Sequence, residues 1–443
     1  MRIARIVIVA LIQSAVVLFA LIDDGLPGSF CRALTLLFSL AVFGYLAAVV
    51  IRRFVLTFGA LTTSPLSLPP EPNPWPTVTV YVPCHNEQAV IGRCLDVLDR
   101  VAYPRDRFDV VVIDDGSTDE TAQIATEFCA GRIGFRVLRR TPPDAAKGKP
   151  AALAYALKQT GGSIRFFLDA DTEIAPHALK TAVRHLCGSN IGAVGGALIP
   201  KNSSDSAASF YTAIEAFTHQ FATLLPASRM GLTSAVLGSN WGIREQTLRR
   251  FGLGEGELLE DSDLSVRLQN DGLRIVFDET MAAHFEVPAD LGEYFRQHIG
   301  WNRGFFRIGS RQSKVAVAHR SNGPVAAIDR LIYSWGYADR LLLLLYVTMM
   351  AINIARPIFV APVWFFGIVL VAPLLQLSAG MAKARCGWKD VLRLWVVPAM
   401  FAVDIAAVIY AAWLDATGAA PRWYKTARRD DGKPGELLGG EKD

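Results

Sequence analysis

Hydrophobic positions along this chain fall into two regimes, one at the ends and one in the middle. Ile6–Ile22 and Ala33–Ile51 carry no charge, and Leu341–Ala355, Pro357–Ala382 and Leu394–Leu414 are nearly as apolar, the last interrupted only by Asp404. Each approaches the roughly 20 residues that a bilayer core requires of a helix. Five such runs clustered at the two ends predict membrane helices rather than buried core helices. Arg2 and Arg5 precede the first run as in a signal peptide, but Leu21-Ile22-Asp23-Asp24 follows instead of a small-residue cleavage site, so a retained anchor is expected. Gly323–Asp339, with Tyr333, Trp335 and Tyr337, predicts a helix lying in the membrane surface.

Between these ends the pattern changes. Six prolines from Pro65 to Pro76 predict an extended linker. Short apolar runs then alternate with helical patterns: Thr77–Val82, a helix over Glu87–Val101, Phe108–Ile113, a helix from Asp119, Phe135–Leu138, a helix from Lys149, Ile164–Leu168 and a helix from Pro176. Strands apolar on both faces and alternating with helices indicate a mostly parallel α/β sheet, Rossmann-like and covered on both sides. The expected organisation is two membrane helices over 1–53, linker over 54–76, α/β domain over 77–320, interfacial helix over 321–340, about three membrane helices over 341–415 and a basic tail over 416–443.

Composition agrees with the split. Charged residues make up 19% of the 443, against roughly 25% in an ordinary soluble domain. The net charge of +4, from 45 basic and 41 acidic residues, is too balanced for a nucleic-acid binder. Six scattered cysteines without a CxxC pair indicate neither a disulfide framework nor a zinc site, and suit a reducing cytosolic face. Loop cations give the orientation: Arg2 and Arg5, Arg52 and Arg53, and Lys383, Arg385 and Lys389 all fall on one side, the cytoplasm, if every run spans. The same count puts Arg422, Lys425, Arg428 and Arg429 outside, a conflict that a re-entrant or interfacial C-terminal segment would remove.

Ligands of such open sheets bind beyond the carboxyl ends of the strands, and carboxylates occupy two of those ends. Asp114-Asp115-Gly116-Ser117-Thr118-Asp119 follows one strand and Asp169-Ala170-Asp171 another. Turn and cap chemistry explains Gly116 to Asp119, but not two adjacent acids at an apolar strand's end. Two carboxylates one residue apart suit a hard divalent cation that also holds phosphate oxygens. His85 and His298, without a visible ligand cluster, read as structural, while Trp241 and Trp301 read as packing or sugar-stacking groups.

Pro83-Cys84-His85-Asn86-Glu87, the Asp114–Asp119 run, Lys147-Gly148-Lys149-Pro150-Ala151-Ala152-Leu153, Asp169-Ala170-Asp171, Leu259-Glu260-Asp261-Ser262-Asp263-Leu264 and Gln297-His298-Ile299-Gly300-Trp301-Asn302-Arg303-Gly304 follow in order. Together they resemble the GT-A-fold, family 2 glycosyltransferases, the group of the membrane-bound cellulose, hyaluronan, chitin-oligosaccharide and poly-N-acetylglucosamine synthases. The resemblance implies a catalytic domain that uses a nucleotide-sugar donor, a UDP-sugar first of all. Glu87, Asp114 and Asp115 would line the nucleoside pocket and Lys149 would reach the diphosphate. Asp169 and Asp171 would hold the sugar nucleotide and its Mg²⁺ or Mn²⁺, and Gln297, Trp301 and Arg303 would lie over the nucleotide. Asp261 would be the catalytic base, with Ser239, Asn240 and Glu260 near the acceptor. One position departs from the family pattern: Gly300 stands where an arginine precedes the tryptophan, and Arg303 is the nearest substitute.

The expected protein is thus a multi-pass enzyme of the inner membrane, its catalytic domain cytoplasmic. It would transfer sugar with inversion to a glycan or lipid acceptor, either polymerising or adding one or a few sugars. A transporter would need polar residues within its spans, and only Asp404 is there. A catalytically dead binder is expected to have lost an acid, and none of Asp115, Asp169, Asp171 or Asp261 is missing.

Overall fold

The computed structural model describes residues 28–254, 258–318 and 323–419. The Ile6–Ile22 run and the basic residues from Arg422 onward lie outside them. Eight strands form one sheet: β1 (Val78–Cys84), β2 (Phe108–Asp114), β3 (Phe135–Arg139), β4 (Ile164–Phe167), β5 (Glu173–Ile174), β6 (Ile191–Pro200), β7 (Trp241–Arg244) and β8 (Arg274–Phe285). Their spatial order is β3-β2-β1-β4-β7-β6-β8-β5. The first four run parallel, β7 is antiparallel to both neighbours, β6 and β8 are parallel, and β5 is an antiparallel edge.

The continuous apolar runs are explained by what covers the sheet. Val80, Val82, Val110 and Val112 face one side, packed with Ile91, Leu95 and Leu98 of the Ile91–Asp99 helix. Their neighbours Tyr81, Val111 and Ile113 face the other, against Ala152, Leu153 and Ala156 of the Lys149–Leu157 helix. A strand that packs on both faces has no position to spare for a polar residue.

The helix expected from Glu87 begins only at Ile91. The Glu87 carbonyl accepts from Val90 and Ile91, and its own N–H donates to Thr121 Oγ1 at 2.7 Å, so residues 87–90 form a turn held to the neighbouring loop.

Among the described residues, four helices are long and apolar enough to cross a membrane: Arg32–Thr62, Ala338–Ala355, Val363–Lys383 and Trp388–Ala416. The first of these belongs to a single helix over Gly28–Thr62, so the expected 54–76 linker begins only after Thr62. Its 35 residues extend about 52 Å, well beyond a hydrocarbon core of about 30 Å. The surplus lies on the domain, where Leu56 and Ala60 are buried and a Cβ on Gly59 would meet Met230 Sδ at 2.5 Å. Arg52 and Arg53, expected just beyond a span, instead sit within this helix, paired with Asp329 at 2.6 Å and Asp339 at 2.9 Å.

The expected surface helix is two pieces. Gly323–Ser334 ends at a turn and a new helix runs over Ala338–Ala355. Ahead of it stands a 28-residue helix, Leu291–Ala318, which carries Gln297, Trp301 and Arg303.

Candidate active site

At the end of β2 the two aspartates part ways. Asp114 is fully buried, accepts the Ser117 N–H at 3.0 Å and pairs with Arg139 at 3.2 Å, so it closes its own turn rather than lining an open pocket. Asp115, only 3% exposed, is ion-paired with Arg140 and accepts the Gly148 N–H at 3.0 Å. It therefore fastens the loop that delivers Lys149. Gly148 has φ +87°, a left-handed conformation that glycine adopts without strain. Glu87 is buried beside this strand end, in the turn described above.

At the end of β4, buried Ala170 anchors the chain between Asp169 and Asp171. Lys149 Nζ lies 2.6 Å from Asp169 Oδ1 and also donates to the Gly238 carbonyl. A Cβ built on Gly238 would lie 3.6 Å from Lys149 Nζ and 3.9 Å from Asp261 Oδ2. Three chemically active chains thus converge at Gly238: the strand-end aspartate, the lysine and the first turn of the Glu260–Asn270 helix. Asp171 is 6% exposed, with the Thr172 hydroxyl 3.3 Å from its Oδ1.

Glu260 and Asp261 open their helix and are both buried. Burial pushes both carboxyls above the ordinary range, and the Lys149 ammonium works against that rise. Lys149 shows the converse. Burial disfavours its charge, but Asp169, Glu260 and Asp261 outweigh burial and raise its pKa. Three carboxyl groups thus face one lysine. Asp263, by contrast, is tied to Arg267 at 2.7 Å and accepts from Gln312 at 3.1 Å, and braces the helix.

Ser239 and Asn240, expected near the acceptor, turn inward. Ser239 Oγ accepts the Asp169 N–H at 2.8 Å and donates to Thr172 Oγ1 at 3.0 Å. Fully buried Asn240, at φ +58°, donates to the Met281 carbonyl at 2.6 Å and the Ala197 carbonyl at 3.3 Å. These residues shape the loop that holds Asp169. Trp241 is 2% exposed and stacked 4.3 Å from Phe167, so it is core packing and meets no sugar.

The Leu291–Ala318 helix lies close over the acidic turn, since a Cβ on Gly304 would stand 2.5 Å from Leu259 Cγ. Gln297 and Trp301 are half-buried on this helix. Arg303, expected toward the nucleotide, is only 4% exposed, and its guanidinium bonds Asp415 at 2.7 Å and the Ala419 carbonyl. The Gly300 position is open, with nothing within 4 Å of a Cβ built there.

His298 does have a cluster around it, contrary to expectation. Its Nε2 lies 3.3 Å from Glu215 and 3.8 Å from Asp404, and the Tyr294 hydroxyl reaches both acids at 3.0 and 2.8 Å. Arg340 pairs with Asp404 at 3.0 Å. Burial opposes charge on His298, but Glu215 and Asp404 outweigh it and raise its pKa. Each carboxylate of the group thus has a histidine or an arginine beside it, and Arg340 also pairs with Asp339 at 3.2 Å. No spacing along the chain marks this group, because its members come from four separate helices.

Two family models match the chain: glycosyl transferase family 2 over residues 79–252 and glycosyl transferase family group 2 over 166–381. A probable glycosyltransferase, YdaM, of Bacillus subtilis is 28% identical over 231 residues, 52% of this chain and 55% of that protein. An N-acetylglucosaminyltransferase of Mesorhizobium japonicum is 27% identical over 252 residues, 54% of this chain and 58% of its own length. A beta-monoglucosyldiacylglycerol synthase of Synechocystis is 30% identical over 203 residues, 44% of this chain and 40% of the relative. The chain spans about half the length of the curated relatives it matches. A mannosyltransferase of Pyrobaculum calidifontis, solved with GDP-mannose and Mn²⁺, shares the fold at TM-score 0.57 and 22% identity, over 88% of this chain and 99% of that one. With the family models over 79–252 and 166–381 and a sheet shared with a GT-A enzyme, this chain carries a glycosyl transferase family 2 domain of the GT-A fold.

Proposed function

We propose that this protein transfers a sugar from a nucleotide-sugar donor, a UDP-sugar, to a glycan or lipid acceptor at the cytoplasmic face of the inner membrane, with inversion at the anomeric carbon. The observation that carries this reading is the meeting of Lys149, Asp169 and Asp261 around Gly238. Asp261 takes the proton of the acceptor hydroxyl as that oxygen attacks the anomeric carbon. The sugar–diphosphate bond breaks, and the departing nucleoside diphosphate keeps the electron pair. Lys149 meets the growing negative charge, while Asp115 holds the loop that carries Lys149. With one base and no second carboxylate nucleophile in the proposed mechanism, a single displacement follows.

Asp169 and Asp171 fit a divalent cation by their chemistry. Both offer hard oxygens, the Asp169 side chain is 35% exposed, and the pocket's acids outnumber its cation. A bound Mg²⁺ or Mn²⁺ would supply charge compensation for the diphosphate. Adding one or a few sugars is favoured over polymerisation. Gly300 provides no cation above the nucleotide, and Arg303 is spent on Asp415.

The test uses membranes that contain the full chain, incubated with radiolabelled sugar nucleotides, followed by separation of lipid, oligosaccharide and polymer products. Chelator should abolish transfer, added Mg²⁺ or Mn²⁺ should restore it, and Asp171→Asn should not recover. Full activity in chelator overturns the metal's role. Absence of transfer from every donor overturns the enzymatic reading.

A further inference from the structure

Residues 233–240 cross the interior of the domain without belonging to a helix or a strand. Thr233, Ser234, Ala235 and Val236 are each at most 3% exposed. Buried backbone outside regular structure must find its hydrogen-bond partners elsewhere, and here most of them are side chains. Asp329 accepts the Thr233 N–H at 2.5 Å, and Arg52 donates to the Thr233 carbonyl at 3.3 Å. The Gln269 amide accepts the Ser234 N–H at 3.0 Å and donates to the Ser234 carbonyl at 2.7 Å. Ser265 Oγ accepts the Val236 N–H at 3.1 Å. The Gly238 carbonyl accepts from Lys149, and Ser239 Oγ accepts the Asp169 N–H at 2.8 Å.

The partners of this strap are ordered along it. Its first residue is held by an ion pair between the Gly28–Thr62 membrane helix and the Gly323–Ser334 helix, with Arg52 Nε 2.6 Å from Asp329 Oδ1. Its middle is held by Ser265 and Gln269, on the helix whose first turn carries Asp261. Ser265 Oγ also donates to the Asp261 carbonyl at 2.7 Å. Its end meets Lys149 and Asp169. Ala235 and Val236 pack into different apolar clusters, so the strap cannot slide by one residue without exchanging their surroundings. Thr233 and Gly238 are five positions apart, no more than about 18 Å even fully extended.

Arg53, the next residue of the membrane helix, makes the contrast. It bonds Gln376 at 2.7 Å and Asp339 at 2.9 Å, on the Val363–Lys383 and Ala338–Ala355 helices, and so joins one membrane helix to others. Arg52 joins the membrane helix to the strap. We infer that Arg52 and Asp329 are positioning residues for sugar transfer. By fixing Thr233, they set where the strap presents the Gly238 carbonyl to Lys149 and Ser239 to Asp169. The inference rests on the proposed transfer reaction, and adds that its reacting groups are aligned from the membrane side. A misplacement of about 1 Å can cost on the order of 100-fold in rate, so an ion pair remote from the chemistry is enough to govern turnover.

The experiment compares Arg52→Gln with Arg53→Gln in the purified full chain, by donor kinetics per folded molecule and by unfolding midpoint. Each variant leaves a carboxylate without its arginine, and each should lower the midpoint. Arg52→Gln should also lower kcat by about 10- to 100-fold with donor KM little changed, whereas Arg53→Gln should keep the parent kcat. Arg52→Gln combined with Asp329→Asn leaves neither charge of the pair behind. It should lose no more kcat than Arg52→Gln alone, because both changes break one tie. Ser265→Ala leaves the ion pair intact and removes the strap's hold on the Asp261 helix, which keeps the question open to measurement should the ion-pair variants not fold. It should lower kcat several-fold, again with donor KM little changed. Parent kcat in Arg52→Gln or in Ser265→Ala, or equal losses in Arg52→Gln and Arg53→Gln, overturns the inference and makes the pair structural. Absence of transfer by the parent overturns the proposed reaction, and the inference with it.

Discussion

The pocket at the strand ends and the seam between Leu291–Ala318 and Val397–Ala416 both bury charge, and they do so in opposite ways. In the pocket, Asp169, Glu260 and Asp261 face one ammonium, that of Lys149. In the seam, Glu215 and Asp404 face His298 and Arg340, and Asp415 faces Arg303. An unbalanced buried group is poised to receive something; a balanced one holds the molecule together. Substitutions should separate the two roles, with pocket variants losing turnover but not stability and seam variants losing stability first.

The largest effect is expected at Asp261. Asp261→Asn keeps size and hydrogen bonding but removes the proton acceptor. Turnover should fall by about 10²–10⁴-fold, the usual contribution of a positioned base. Donor affinity should change little, and the unfolding midpoint of the solubilised chain should not drop. An equal loss of donor binding would mean that Asp261 holds the ground state. Asp263→Asn is the control, expected to be milder because Asp263 pairs with Arg267.

Next in size is Arg340→Gln, which strips the partner from a carboxylate that is 0% exposed. Breaking a buried pair from one side typically costs about 3–5 kcal/mol. The expected result is a large fall in the unfolding midpoint, with residual turnover per folded molecule close to that of the parent. A stable protein with low turnover would place the seam in the chemistry and erase the contrast.

The two regions also differ in how far sequence alone reveals them. Apolar runs, alternation and strand-end acids disclosed β1 to β4 and the Asp169–Asp171 pair, because each is local along the chain. Lys149 and Asp261 were found through motif order, although nothing local shows that they meet at Gly238. The inward turn of Ser239 and Asn240 was hidden, since it depends on carbonyls at Ala197 and Met281. Arg303 was misdirected for the same reason, as its partner Asp415 is 112 residues away. The contacts of the last apolar helix were hidden likewise, since Asp404 and Asp415 meet Tyr294 and Arg303 on another helix.

A smaller effect tests how closely the membrane helices press on the domain. A Cβ on Gly380 would lie 2.7 Å from Thr218 Cα, 2.9 Å from Thr218 N and 3.0 Å from the Phe217 carbonyl oxygen. All three are backbone atoms that cannot rotate away. Gly380→Ala should therefore push the Val363–Lys383 helix off Ala207–His219 and cost about 1–3 kcal/mol, the range for overpacking. An unchanged midpoint would show that this contact is looser than the seam beside it.

The smallest effect is of opposite sign and tests the position where the chain departs from its family's pattern. Gly300 lies within the Leu291–Ala318 helix, where glycine typically costs about 0.5–1 kcal/mol relative to alanine through backbone freedom lost on folding. Nothing stands within 4 Å of a Cβ there, so no clash offsets the gain. Gly300→Ala should raise the unfolding midpoint by about that amount and leave turnover unchanged. Gly380→Ala supplies the contrast: the same chemical change destabilises where backbone is near and stabilises where space is open. Loss of turnover in a stabilised Gly300→Ala protein would show that the helix bends at this residue as the donor binds. Glycine would then serve the pocket as a hinge, and the helix would belong as much to the reaction as to the seam.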